Sequence, residues 1–249
     1  MADAATATKP TPGEATGGQI LAVQKLEAWY GESHILHGID FSVNAGEVVT
    51  LLGRNGAGKT TTLKSIMGII GKRTGSIRFN DQDIIRTSSD RIARMGIAFC
   101  PEERGIFASL DVRENLLLPP VVRAGGLSLE QIFDLFPNLK ERLKSQGTKL
   151  SGGEQQMLAI ARILRTGASF LMLDEPTEGL APVIIQQIGH TIARLKKQGF
   201  TILLVEQNFR FASTVADRYY IVEHGKIIDG FANSELQANM DKLHTYLGV

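Results

Sequence analysis

Eight consecutive residues, Gly53-Arg54-Asn55-Gly56-Ala57-Gly58-Lys59-Thr60, carry the pattern G-x-x-x-x-G-K-[ST]. Glycines at these places let successive backbone N–H groups turn inward around phosphate oxygens, and a helix opening at Lys59 adds positive potential. In such a loop Lys59 bridges the β- and γ-phosphates of a nucleoside triphosphate, and the Thr60 hydroxyl coordinates Mg²⁺. Thr61 follows on the same turn and belongs with the phosphate-binding set. A plain glycine-rich β–α turn is the competing reading. A chance match somewhere in such a chain is about a one-percent event, and here the pattern directly follows the apolar run VVTLL.

A second pair of reactive side chains closes the apolar run FLMLDE, residues 170–175. A buried parallel strand delivers its last residues to the carboxyl edge of the sheet, where ligands of α/β folds bind. Asp174 is then placed to hold Mg²⁺ through its water, and Glu175, pointing elsewhere, to polarise an attacking water. Two acids that merely cap a strand are the bland alternative, and the company of a phosphate loop weighs against it.

Residues of this kind need a scaffold. ILAVQKLEAWYG reads as a strand ending in an aromatic pair, and IDFSV and EVVTLLG as further strands with Asn44-Ala45-Gly46 as the turn between them. Between Lys59 and Ile70 the apolar positions Leu63, Ile66, Met67 and Ile70 repeat as a buried helix face does. SIRFN with Asn80-Asp81 suggests a hairpin, and residues 97–101 a short strand. From about Asp111 to Arg165 the pattern is helical (VRENLLL, LEQIFDLF, EQQMLAIARIL), and strand–helix alternation then resumes with FLMLD, a helix near Val183–Lys197, TILLVE and a helix near Phe209–Ala216. A hairpin, YYIVEHGKIID, and a short helix reaching Leu247 close the chain. Continuous apolar strands separated by helices indicate an α/β fold with a parallel sheet covered on both faces.

Composition limits the function classes. Lys and Arg number 27 against 26 Asp and Glu, a net charge of +1, so nothing advertises a nucleic-acid groove or an anionic membrane surface. The single cysteine, Cys100, excludes an internal disulfide, fits a reducing compartment and reads as a core thiol. No stretch approaches the roughly 18 apolar residues that span a bilayer. The opening residues MADAATATKPTPGEATGGQ lack the apolar centre of a secretory signal. They read as a flexible tail, 1–19, ahead of one domain, 20–249, with a helical lobe at about 103–165. The expectation is a cytosolic protein that meets a membrane only through a partner.

Between the two motifs lies Leu150-Ser151-Gly152-Gly153-Glu154-Gln155-Gln156, at the start of a helix. Ser151 could simply cap that helix, with the glycines as its loop. The ordered set of phosphate loop, this LSGGQ-type signature and FLMLDE about twenty residues later resembles the nucleotide-binding subunits of ABC transporters over roughly Leu21 to Gly230. The resemblance implies an ABC ATPase fold: a P-loop NTPase parallel-sheet core, an antiparallel β lobe and a helical signature lobe. It also implies that Ser151, Gly152 and Gly153 form a second anion site facing the γ-phosphate held by the other subunit of a head-to-tail dimer. Hydrolysis then separates the two subunits.

Further roles follow from the resemblance position by position. Tyr30 matches the aromatic that stacks on adenine, and Gly53 to Thr61 surround the phosphates. Glu102 stands where a Mg²⁺-sensing glutamine is usual, Gln207 where a histidine contacts the γ-phosphate, and Ala181 where an aspartate helps join the subunits. Gln207 can donate a hydrogen bond but cannot become cationic; His224, near a hairpin turn, reads as solvent-facing. The candidate catalytic residues are thus Glu175, Lys59 and Gln207, the metal residues Thr60, Glu102 and Asp174, and the cofactors ATP and Mg²⁺.

PEERGIF, TEGLAP and VEQN together resemble one branch, the second ATPase of branched-chain amino-acid importers, whose relatives handle urea, short amides or aromatic acids. The implied partners are a sister ABC ATPase or a second copy, two membrane permeases and, through the complex, an external binding protein. The implied location is the inner face of the cell membrane. Non-transport ABC ATPases fit less well: translation-type chains carry two ATPase units, and DNA-maintenance ones have long insertions where about ninety residues stand here. A binding module without turnover is disfavoured by Lys59, Asp174 and Glu175, and a small-molecule kinase by LSGGE.

Overall fold

A computed structural model describes residues 18–248; all but the end of the expected tail lies outside them. β1 (Gln19–Tyr30) turns through Gly31 and Glu32 into β2 (Ser33–Asn44), and the two pair antiparallel. β3 (Val48–Leu52) leads through the phosphate loop into α1 (Lys59–Ile66). β4 (Lys72–Phe79) returns to pair with β1, and β5 (Gln82–Asp83) completes a four-stranded antiparallel sheet in the order β2-β1-β4-β5. α2 (Ser89–Arg94) and β6 (Ile97–Cys100) follow.

The helical middle comprises α3 (Val112–Leu117), α4 (Leu129–Leu135), α5 (Pro137–Glu141) and the long α6 (Gly152–Leu164). Strand–helix alternation resumes with β7 (Phe170–Asp174), α7 (Pro182–Lys197), β8 (Thr201–Glu206), α8 (Phe209–Val215), β9 (Arg218–Glu223), β10 (Lys226–Ala232) and α9 (Met240–Leu247). The main sheet runs β10-β9-β3-β8-β7-β6, all parallel except β10 at the edge.

Every residue of β3, β7 and β8 is buried, which is why these runs are apolar apart from Thr50, Thr201 and the closing acids Asp174 and Glu206. The two-residue strand period still sorts them between two cores. Leu171, Leu173, Ile202 and Leu204 pack against the helical middle and α7. Phe170, Met172, Leu203 and Val205 face α1 and the antiparallel sheet. Fully burying one such side chain stabilises the fold by about 1.5–3 kcal/mol.

The antiparallel lobe is bonded to the main sheet beside the phosphate loop. Gly225 accepts from the His37 N–H at 2.8 Å and donates its own N–H to Ala57 O at 2.8 Å. A Cβ there would lie 2.0 Å from Ile35 O, so only glycine permits this approach. A buried Arg218–Glu47 pair at 2.6 Å adds a bond from Arg218 to Ser42 O at 2.6 Å.

Candidate nucleotide site

Lys59 begins α1 behind Gly58, whose φ of 108° lies in the left-handed region open to glycine. Its Nζ is buried, donates to Gly53 O at 2.8 Å and Arg54 O at 3.2 Å, and forms an ion pair with Glu175 Oε1 at 3.0 Å. Thr60 Oγ1 donates to Asp174 Oδ1 at 3.0 Å, and Asp174 Oδ2 is buried without a hydrogen-bond partner. Burial, with added repulsion from Glu175 and Glu102, pushes the Asp174 carboxyl up to about 6 against the opposing Thr60 bond. A hydroxyl beside carboxylate oxygens, one of them unpartnered, is a donor set suited to a hard divalent cation.

A cleft of about 360 Å³ opens over these groups, lined by Tyr30, Ile35, Asn55 to Thr61, Glu102, Glu175 and Glu178. Tyr30 stands half-exposed at the rim. The cleft thus brings together Tyr30, the phosphate loop from Asn55 onward, Thr61, Glu102 and Glu175, with Asp174 buried beneath Thr60. Arg54 lines a separate hollow with His224 and Tyr246. Gln207 is exposed and outside the cleft lining, and His224 is exposed on its turn.

Ser151, Gly152 and Gly153 do not line this cleft. Ser151 is the N-cap of α6: its Oγ accepts from the Glu154 N–H at 3.3 Å, and Glu154 Oε2 accepts from the Ser151 N–H at 2.8 Å. Glu154 also pairs with Arg142 Nε at 3.3 Å. Burial raises its pKa, but the Ser151 and Arg142 contacts outweigh this and leave it below the usual range. Glutamate at the fifth signature place is therefore explained locally, by the cap it completes. Gly153 is required by packing, since a Cβ would meet Ile184 of α7 at 2.8 Å.

Two acidic contributors were not singled out from the sequence. Glu178 lines the cleft and shares a hydrogen bond with Glu175, which raises its pKa above the usual range. The signal for it was modest: an acid three residues after Glu175. Glu206, the buried end of β8, accepts from Thr177 Oγ1 at 2.9 Å and from the Asn208 N–H at 3.3 Å. Burial pushes it up to about 7 despite these bonds. An acid closing the apolar run TILLVE was the available signal, the same one that marked Asp174.

The Glu206 shift fixes a pH dependence of stability. The native carboxyl stays neutral while the unfolded one, near 4.5, ionises. Its contribution is complete below pH 4.5, is lost as pH rises through about 7, and by pH 8 amounts to a cost of about 3 kcal/mol. Glu206→Gln has no such titration. Its melting temperature relative to the unsubstituted chain is expected to rise by about 5–10 °C between pH 4.5 and pH 8. Parallel melting curves across that range would refute the shift.

A family model described as ABC transporter covers residues 36–178. The high-affinity branched-chain amino acid transport ATP-binding protein BraG of Pseudomonas aeruginosa is 40% identical, over 92% of this chain and 100% of that protein. The lipopolysaccharide export system ATP-binding protein LptB of Escherichia coli K12 is 35% identical, over 92% of this chain and 97% of that protein. A crystal structure of a nucleotide-free ATP-binding cassette from an ABC transporter superposes with a TM-score of 0.80 at 25% identity, over 93% of this chain and 99% of that one. The chain belongs to the ABC transporter family. Within it, this is an ATP-binding, ATP-hydrolysing subunit that resembles branched-chain amino acid transport ATPases.

Proposed function

We propose that this chain energises uptake of branched-chain amino acids through partner membrane subunits. The observation that carries this reading is its 40% identity to BraG along the whole of that protein. PEERGIF, TEGLAP and VEQN point to the same branch. Among the described residues no helix is long and apolar enough to cross a membrane, so the transport path belongs to partners. The similarity to LptB supports a second reading, in which the subunit drives export. To separate them, the chain is expressed with its neighbouring permeases and binding protein in a host deficient in leucine uptake. ATP-dependent accumulation of labelled leucine is expected; accumulation of urea, amides or aromatic acids instead would reassign the cargo, and no uptake of any would overturn import.

In this reading ATP lies in the cleft, with the adenine on Tyr30 and the phosphates on the backbone amides from Gly53 to Thr61. Lys59 leaves its pair with Glu175 to meet the β- and γ-phosphates, which frees Glu175 to accept the proton of an attacking water. Thr60, Asp174 and Glu102 would hold Mg²⁺, which neutralises charge on the β- and γ-oxygens. Ser151, Gly152 and Gly153 serve the site of the facing subunit in a head-to-tail dimer. Because Gln207 stands where a cationic contact is usual, the facing subunit is a sister ATPase carrying the histidine. Native mass spectrometry of the purified complex tests this: two copies of this chain on one pair of membrane subunits would exclude it.

The segment from Glu102 to Val112 is the proposed permease contact. Phe107 is half-exposed, beneath the Arg162 guanidinium at 5.0 Å. Its backbone is held independently, with the Asn115 side chain accepting from its N–H at 2.8 Å and donating to its carbonyl at 3.0 Å. Phe107→Asp is therefore expected to keep the melting temperature within a few degrees while abolishing most transport. Intact co-purification with permeases and normal uptake would count against the contact.

A further inference from the structure

Glu175 has a φ of 44°, a left-handed backbone that costs a non-glycine residue energy and persists only where its surroundings hold it. One restraint is backbone pairing: Glu175 N–H donates to Val205 O at 2.9 Å. The next residue of β8 is Glu206, 2% exposed. Its Oε1 accepts from the hydroxyl of Thr177, two residues beyond Glu175 and itself 4% exposed. Its Oε2 accepts from the Asn208 amide, and the Asn208 side chain in turn caps α8 by accepting from Phe211 N–H at 3.1 Å. Exposed Gln207 thereby lies between the end of a strand and the cap of a helix. A carboxyl this deeply buried is costly by itself, and an apolar residue would suit the end of TILLV better if packing alone mattered.

We propose that Glu206 is a positioning residue for ATP hydrolysis. Its carboxyl joins the segment carrying Glu175 to the turn carrying Gln207, so that a shift of either is felt by the other. The proposal rests on the reading in which Glu175 is the base and Gln207 faces the γ-phosphate. Glu206 touches neither nucleotide nor water in this scheme. It acts through Thr177 and through the Asn208 amide.

The test uses the purified complex with its facing ATPase, this chain bearing Thr177→Val, Thr177→Ser, Glu206→Ala, the Thr177→Val/Glu206→Ala pair, and Glu175→Gln as reference. Steady-state ATPase is measured over a range of ATP, with each rate divided by the number of sites that bind a fluorescent ATP analogue, so that a misfolded fraction does not count. Thr177→Val and Glu206→Ala are each expected to lower kcat per site about tenfold with KM changed less than twofold. A tenfold change is the size expected for the loss of one hydrogen bond. The double variant should be no slower than the worse single one, because both cut the same link. Thr177→Ser, which keeps the hydroxyl, should return to within twofold of the unsubstituted rate.

A Thr177→Val chain with normal kcat per site overturns the proposal. So does a Thr177→Ser chain as slow as Thr177→Val, since that would assign the effect to the methyl group. If Glu206→Ala does not fold, the Thr177 variants decide alone. Normal turnover in Glu175→Gln would instead remove the reading underneath, whereas an inactive Glu175→Gln beside an unimpaired Thr177→Val removes only the positioning role.

Discussion

Glu175→Gln is expected to bind ATP at least as well as the unsubstituted chain and to hydrolyse it at least a hundredfold more slowly. The amide keeps the size of the side chain and most of its hydrogen bonding but cannot accept a proton from water, and general-base assistance is worth about 10²–10⁴-fold. The geometry adds a reason for undiminished binding. Lys59 Nζ is paired with Glu175 Oε1 at 3.0 Å, so an incoming phosphate competes with that carboxylate for the same cation. Neutralising Glu175 removes the competitor. The closed, ATP-bound dimer or heterodimer should then accumulate, because the state favoured by ATP is no longer discharged, and should persist on gel filtration with ATP. Turnover at the normal rate would place the base elsewhere, and weaker ATP binding would argue that the pair does not restrain Lys59.

Lys59→Ala is expected to reduce ATPase activity a hundredfold or more. Losing one preorganised contact to charge that develops in the transition state costs about 3–4 kcal/mol. The structure adds a second effect. Glu175 is 8% exposed, and without Lys59 its charge has lost its buried cation. Breaking a buried pair from one side costs about 3–5 kcal/mol, so the melting temperature should also fall by about 10 °C. Adding Glu175→Gln to Lys59→Ala removes the stranded charge and should recover most of the lost stability without recovering activity. Wild-type turnover in Lys59→Ala would remove the phosphate-binding role of the loop. An unchanged melting temperature would show that Glu175 finds another partner, with Glu178 the first to examine.

Much of this architecture is legible in residue order because the parts that do chemistry are local. The phosphate loop is eight consecutive residues between a buried strand and a helix, and β7 from Phe170 and β8 from Ile202 are apolar at every place until their closing acids. Elsewhere the sequence pattern is thin. β2 begins at Ser33, well before IDFSV, because its first half alternates exposed His34 and His37 with inward residues around Gly38. α2 and α5, at six and five residues, are too short to show a helical period. The contacts of the site are non-local. Nothing in the sequence joins Lys59 to Glu175, or Thr177 to Glu206, since each pair meets only when β3, β7 and β8 align. Gln207 directly follows β8, but which way a residue just past a strand end points depends on the turn and on the Asn208 cap.

The position of β3 also governs when the molecule becomes able to bind nucleotide during synthesis. β3 lies between β8 and β9 in the sheet, so both its neighbours are made long after it, at residues 201–206 and 218–223. At a translation rate of about 5–20 residues per second, the phosphate loop leaves the ribosome roughly ten to thirty seconds before the strands that support it. Meanwhile β1, β2, β4 and β5 are all made by Asp83 and need only one another to pair. The nascent chain thus carries an early antiparallel platform and a bare, apolar VVTLL segment awaiting its partners. Messages truncated before codon 201 yield a product with every residue of the loop and neither of the strands that flank β3 in the main sheet.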